Sequence, residues 1–188
     1  MCVKRFDEAI AEIKRAEELD PLSRIIGANL GEMFVYARHY DEAIAQYKRV
    51  LVREPNFASA HRRLGWAYGL KGMYAEAIAE ERAALELNSE SSTKGYLALW
   101  LAKSGKRDEA LKILAELKQE TSKGYVQPAA LANAYIGLGD KEEAFNQLEK
   151  DAAGRSEIAS FFAVSPELDE LRSEPRFKEM LKRMNLPE

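Results

Sequence analysis

The sequence predicts an all-α array of antiparallel helix pairs, and three observations carry that prediction. An alanine recurs at Ala9, Ala43, Ala77, Ala110 and Ala144, with spacings of 34, 34, 33 and 34 residues. Around each alanine the apolar residues fall three and four apart, the period of a helix with one buried face. Tyr40, Ala43, Ile44, Tyr47 and Val50 make one such stripe, and Tyr74, Ala77, Ile78 and Ala84 the next. Upstream lies a second helical stretch with a small-residue step, at Leu30-Gly31, Leu64-Gly65, Leu97-Ala98 and Leu131-Ala132. A large apolar residue follows three positions on, at Phe34, Tyr68, Leu101 and Tyr135. Small residues let two helices approach, and the large one fills the space beside them.

Taken in order, the elements begin with half a unit. The stretch FDEAIAEIKRAEELDP (Phe6 to Pro21) is echoed by YDEAIAQYKRVLVREP (Tyr40 to Pro55), but only the second has a helix before it. Residues 1–21 therefore read as a second helix alone. Complete units follow at 22–55, 56–89 and 90–122, with a similar unit at 123–155. Pro21 and Pro55 stop helices, and the turns LKGMY and LGDKEEA join helices within pairs. From residue 156 to 188 the repeat is abandoned for a C-terminal cap. There SEIASFF reads as a short helix, and Ser165-Pro166 and Ser173-Glu174-Pro175 read as helix starts. The last helix carries Phe177, Met180, Leu181 and Met184 and is expected to cover the open end of the stack.

Composition narrows the function. The 188 residues carry a net charge of −3, which argues against direct nucleic-acid binding by a basic face. No apolar run reaches the length of a membrane span, and the N-terminus has no signal-peptide core, so the expected compartment is the cytoplasm. The single cysteine, Cys2, excludes a disulfide framework and a cysteine-based zinc site. His39 and His61 have no metal-ligand partner at helical spacing, and His39 is expected in a solvated turn. The glycines of GLKG and IGLGD are turn glycines, and Asp41-Glu42 and Glu142-Glu143 open helices, where the dipole favours them. No cluster for catalysis, cofactor or metal emerges, and the expectation is a protein that is not an enzyme.

The residues Leu30-Gly31, Phe34, Ala43, Tyr47, Pro55, Leu64-Gly65, Tyr68 and Ala77 resemble the tetratricopeptide repeat (TPR) pattern. Later units match through Leu97-Ala98, Ala110, Leu114, Leu131-Ala132, Tyr135, Ala144 and Leu148. The resemblance spans residues 4 to about 153 and implies an α-solenoid, a right-handed superhelical stack of helix pairs. The chain departs from the pattern at Gly27, His61, Lys94 and Pro128, where a bulky residue is expected, and at Ser89, where a proline is. Glu81 occupies a core position, with two readings: its carboxylate reaches solvent, or it pairs with Lys103 or Lys106. The tail LRSEPRFKEMLKRMNLP resembles the ends of TPR regions in bacterial multidomain signalling proteins. That likeness implies a regulatory region of a larger bacterial protein.

The resemblance also implies a binding groove lined by the first helix of each unit, taking a peptide or protein segment. The residues projected inward are Asn29, Glu32 and Tyr36, then Arg62, Arg63, Trp66 and Leu70. Tyr96, Leu99 and Lys103 follow, then Asn133. Tryptophan, tyrosine and arginine most often dominate binding energy, which singles out Arg63, Trp66 and Tyr96. The alternative is that Trp66 and Tyr96 fill space between adjacent first helices. Asn29 and Arg63 also match two positions of the clamp with which some TPR co-chaperones hold a C-terminal carboxylate. Ser59 stands where that clamp has a lysine, so the match is partial, and the expectation is only that Arg63 meets an acidic group of a partner. A competing role is self-association through the N-terminal edge, with Phe6, Ile10 and Ile13 as its apolar residues. On that reading the chain is a fragment of a longer array, or its first helix docks on another copy as a homodimer.

Overall fold

In a computed structural model of the chain, residues 5–154 and 158–186 are described. Among them the regular structure is entirely helical, arranged in two compact units, Met1–Asn88 and Ser89–Glu188. Met1 to Lys4, including Cys2, and the start of SEIASFF at Ser156-Glu157 lie outside the described residues.

The first unit contains α1 (Phe6–Leu19), α2 (Arg24–Tyr36), α3 (Tyr40–Arg53), α4 (Ala58–Leu70) and α5 (Tyr74–Leu87), each packed on the next. The small-residue step works as the spacing predicts. A Cβ on Gly31 would stand 2.5 Å from the Tyr47 ring, so glycine lets that buried ring pack directly on the α2 backbone. One unit on, Glu81 takes the place of Tyr47, and a Cβ on Gly65 would stand 2.9 Å from its carboxylate. Glu81 is 0% exposed, which removes the reading in which its carboxylate reaches solvent. Gly27, where the repeat pattern calls for a bulky residue, sits against Val50 and Gln46 of α3. A larger side chain there has no room.

The turns inside the pairs share one geometry across both units. The backbone N–H groups of His39, Met73, Lys106 and Asp140 donate to the carbonyls of Phe34, Tyr68, Leu101 and Tyr135, at 2.8 to 3.0 Å. This bond closes a helix C-terminus when the residue before the donor is left-handed. That residue is Gly72 (φ 82°), Gly105 (φ 85°) or Gly139 (φ 78°), and in the first pair Arg38 (φ 65°). Arg38 is held there by its guanidinium, which donates to the Tyr36 carbonyl at 2.8 Å.

The second unit contains α6 (Ser91–Lys103), α7 (Arg107–Lys123), α8 (Pro128–Leu138) and α9 (Lys141–Ala153). Two 3-10 segments follow, η1 (Ile158–Phe161) and η2 (Pro166–Leu171), and then α10 (Pro175–Arg183). Here the two first helices meet backbone to backbone. A Cβ on Gly95 would stand 2.5 Å from the Ala130 carbonyl oxygen, and one on Gly137 2.8 Å from the Leu99 Cα. The cap is built from all three of these segments, η1, η2 and α10. Helix α10 buries Phe177, Met180 and Leu181, and Ala159 of η1, Phe162 just after it and Leu168 and Leu171 of η2 are buried as well. Ser165 precedes η2 without making a side-chain cap, and the residue before α10 is Glu174 rather than Ser173. Arg176 ties α10 to α9, donating to Asn146 at 2.7 Å and to Glu142 and Glu149 at 3.0 Å.

Candidate functional site

In the first unit the structure brings together Asn29 and Glu32 of α2 with Arg63 of α4. The Arg63 guanidinium donates to Asn29 Oδ1 at 3.2 Å and faces Glu32 Oε2 at 3.3 Å. The two clamp-matching residues are thus bonded to each other, with Glu32 supplying the countercharge. All three are half-buried, as are Arg62 and Leu70 on the same helix as Arg63. The Tyr47 hydroxyl approaches this cluster from α3. Burial pushes its pKa up, and the charges of Arg63 and Arg62 pull it down while Glu32 opposes them. Among the described residues, neither the Tyr47 hydroxyl nor Arg63 Nε has a hydrogen-bond partner. Buried polar atoms without a partner cost about 1–3 kcal/mol each. Sequence reasoning does not place Tyr47 at the site; as the large ring facing Gly31 it reads as core, with no signal for where its hydroxyl ends.

Tyr36 and Trp66 were expected in the groove and are buried instead. Trp66 is 4% exposed and meets Tyr36 edge-on with ring centroids 5.5 Å apart, while Phe6 stacks on Tyr36 at 6.4 Å. Three aromatics from three successive helix pairs, the first represented by α1 alone, form one interior ladder. Its cause is geometric: the first helices α2 and α4, at repeat spacing, leave a gap that large rings fill, and Phe6 of α1 extends it. Ile10 is also buried and Phe6 and Ile13 are half-buried, so the stripe assigned to self-association is turned largely inward. The exposed apolar side chains at this edge are Leu19, Leu22 and Ile25.

In the second unit the expected residues are engaged within the chain. Leu99 and Asn133 are buried where α6 and α8 meet. Tyr96 stacks on Trp100 at 6.2 Å, and its hydroxyl donates to Glu167 of η2 at 2.7 Å. Lys103 forms an ion pair with Glu170 of η2. The first-helix face differs between units because Gly95 and Gly137 replace the aromatic ladder with direct backbone contact.

The histidines take structural roles. His61 bridges Glu80 Oε2 (2.6 Å) and the Pro55 carbonyl (2.8 Å), which explains a histidine where a bulky apolar residue is usual. His39 is exposed in the turn before α3. Among the described residues there is no group of three metal-ligating side chains, and no helix is long and apolar enough to cross a membrane. A cavity lined by Glu17, Gln46, Arg49 and Arg53, about 20 Å³, has room for one water.

These features define a helix-pair repeat array with a polar cluster on the first helices of one unit. Residues 28–92 match the family model described as tetratricopeptide repeat, and the chain has the tetratricopeptide repeat fold. The structure is similar to the crystal structure of TTC0263, a thermophilic TPR protein in Thermus thermophilus. The TM-score is 0.64 at 22% identity, covering 95% of this chain and 91% of that one. The crystal structure of MamA gives 0.57 at 24% identity, covering 82% and 91%. YrrB, a TPR protein with an unusual peptide-binding site, gives 0.55 at 20% identity, covering 92% and 90%. At these identities the likeness establishes the fold. No curated protein sequence matches the chain.

Proposed function

We propose that the chain is a non-catalytic interaction scaffold that binds a peptide or protein segment carrying an acidic group, on the first-helix face formed by α2 and α4. The supporting observation is the Arg63 cluster. A guanidinium shared between Asn29 and Glu32, with Arg62 on the same helix, is a preformed anion receptor whose countercharge an incoming carboxylate replaces. Leu70 supplies an apolar neighbour for the rest of the segment. Peptide binding by YrrB agrees with the class of function, and the chemistry comes from these side chains. The resemblance of the tail to bacterial signalling proteins makes a regulatory region in a cytoplasmic bacterial protein the setting we favour.

The test is selection of a displayed random-peptide library on the whole chain, with Arg62→Ala/Arg63→Ala as counter-target. Enriched peptides should be acidic and lose about tenfold or more in affinity on the double variant, as charge-assisted hydrogen bonds are worth. Peptides that bind both proteins equally would remove this reading. A second role, self-association, has Leu19 (88% exposed) and Leu22 (76% exposed) as its apolar contacts in place of Ile10. Light scattering on the parent and on Leu19→Ser/Leu22→Ser distinguishes it: a dimer that the double variant abolishes supports that role.

A further inference from the structure

The excursion of η2 onto α6 is more than a cap requires. Helix α10 already covers α9, through Arg176 and the buried Phe177, Met180 and Leu181. Between α9 and α10, η2 also reaches α6 through the side chains of Glu167 and Glu170. Glu167 and Glu170, one 3-10 turn apart, project to the same side of η2. Tyr96 and Lys103, two turns apart, project to the same side of α6. Glu167 takes the tyrosine hydroxyl and Glu170 the ammonium, so the two segments run in the same direction.

Charge complementarity is one-sided. Pro166–Leu171 holds three acidic residues and no basic one, while Ser91–Lys103 holds no acidic residue and two lysines, of which Lys94 pairs with Glu120 of α7 and Lys103 faces η2. The Lys103–Glu170 pair sits at the surface, its side chains 26% and 58% exposed, while Leu168 and Leu171 of the same segment are buried. Rim ion pairs of this kind select a partner and exchange readily, while the apolar anchors supply affinity.

We infer that Pro166–Leu171 is a built-in occupant of a second acidic-peptide site on α6. The ligand of that site is an external segment with the same chemistry: two Glu-Leu steps three residues apart, as in Glu167-Leu168 and Glu170-Leu171. The site rests on the reading of the chain as a peptide-binding scaffold, but uses different residues from the Arg63 cluster. The internal segment competes with the external one, so the α6 site is silent until an acidic ligand displaces its copy.

The probe is the capped synthetic peptide of residues 165–171, SPELDEL, offered to the full chain and to Glu167→Gln/Glu170→Gln. Removing two charge-assisted bonds while keeping the buried leucines should speed amide exchange across residues 158–171 about tenfold and tighten peptide binding by a similar factor. Adding Lys103→Glu should abolish that binding. Unchanged exchange, or no binding to either protein, would overturn the inference and make η2 a fixed part of the core. Binding lost in Arg63→Ala but indifferent to Lys103→Glu would also overturn it, while leaving the α2–α4 function standing. Should the double variant not fold, the charge-exchanged Lys103→Glu/Glu170→Lys chain replaces it. Its 158–171 protection should match the parent, and either single reversal should lose it; equal protection in all three contradicts the pairing.

Discussion

Replacing Gly95 with alanine tests the direct contact of α6 with α8, because two effects of opposite sign compete there. By helix propensity alone, alanine in place of a mid-helix glycine stabilises by about 1 kcal/mol. Against this, the new methyl would lie 2.5, 2.7 and 2.9 Å from the oxygen, Cα and carbonyl carbon of Ala130. These are backbone atoms, so no rotamer change relieves the contact. The helices must separate by roughly 1 Å to restore ordinary van der Waals distances. Separation also loosens Leu99 against Gly137. Overpacking of this kind costs about 1–3 kcal/mol, and the rigidity of the obstacle favours the upper half, for a net loss of about 1–2 kcal/mol. The two tryptophans, Trp66 and Trp100, lie one in each compact unit. In a Trp66→Phe background, Trp100 fluorescence during urea unfolding therefore reports the second unit. Gly124→Ala is the control, since nothing lies within 4 Å of its added methyl and its φ is an extended −178°. It should be neutral or stabilise by up to about 1 kcal/mol. Stabilisation by Gly95→Ala of the size propensity predicts would refute the backbone contact.

Trp66→Ala should destabilise the first unit by about 3–5 kcal/mol in urea, since it empties the centre of the aromatic ladder; a loss below about 1 kcal/mol would return Trp66 to the surface. Gly72→Ala should cost about 1 kcal/mol, from backbone strain alone, because φ is 82° and no atom crowds the site. Hydrogen bonding from Arg176 holds the Glu149 carboxyl below the usual glutamate range. Its contribution to stability is therefore complete above the unfolded value of about 4.3 and disappears as pH falls through the lower folded value. Urea midpoints of the parent should drop more steeply on acidification than those of Arg176→Met, by about 1 kcal/mol or less for a pair this close to solvent; parallel curves would contradict the coupling.

The repeat was legible because its signals are local. Glycine or alanine at Gly31, Gly65 and Ala98 and the large residue three places on dictate how a pair closes, whatever surrounds it. The site was legible only in part. Asn29, Glu32 and Arg63 lie where helical spacing puts them, yet the same spacing put Tyr36 and Trp66 beside them, and those rings turned inward. Periodicity places a residue on a helix face; whether that face meets solvent depends on the gap to the next helix. Nor does any local pattern announce that η2 returns to α6, because Tyr96 and Glu167 are 71 residues apart. Arg38 illustrates the converse: the repeat register puts a non-glycine residue in a left-handed turn, and the guanidinium bond to the Tyr36 carbonyl that holds it there follows no local pattern.

The most direct test of the scaffold reading is where an enriched acidic peptide lands on the isotopically labelled chain in a two-dimensional NMR titration. Saturable shifts should concentrate on the amides around Asn29, Glu32, Arg62 and Arg63 and the Arg63 Nε–H, leaving α3 and α5 surface signals unmoved. A peptide that shifts only the outer faces of α3 and α5, or none of the α2 and α4 signals, would contradict it.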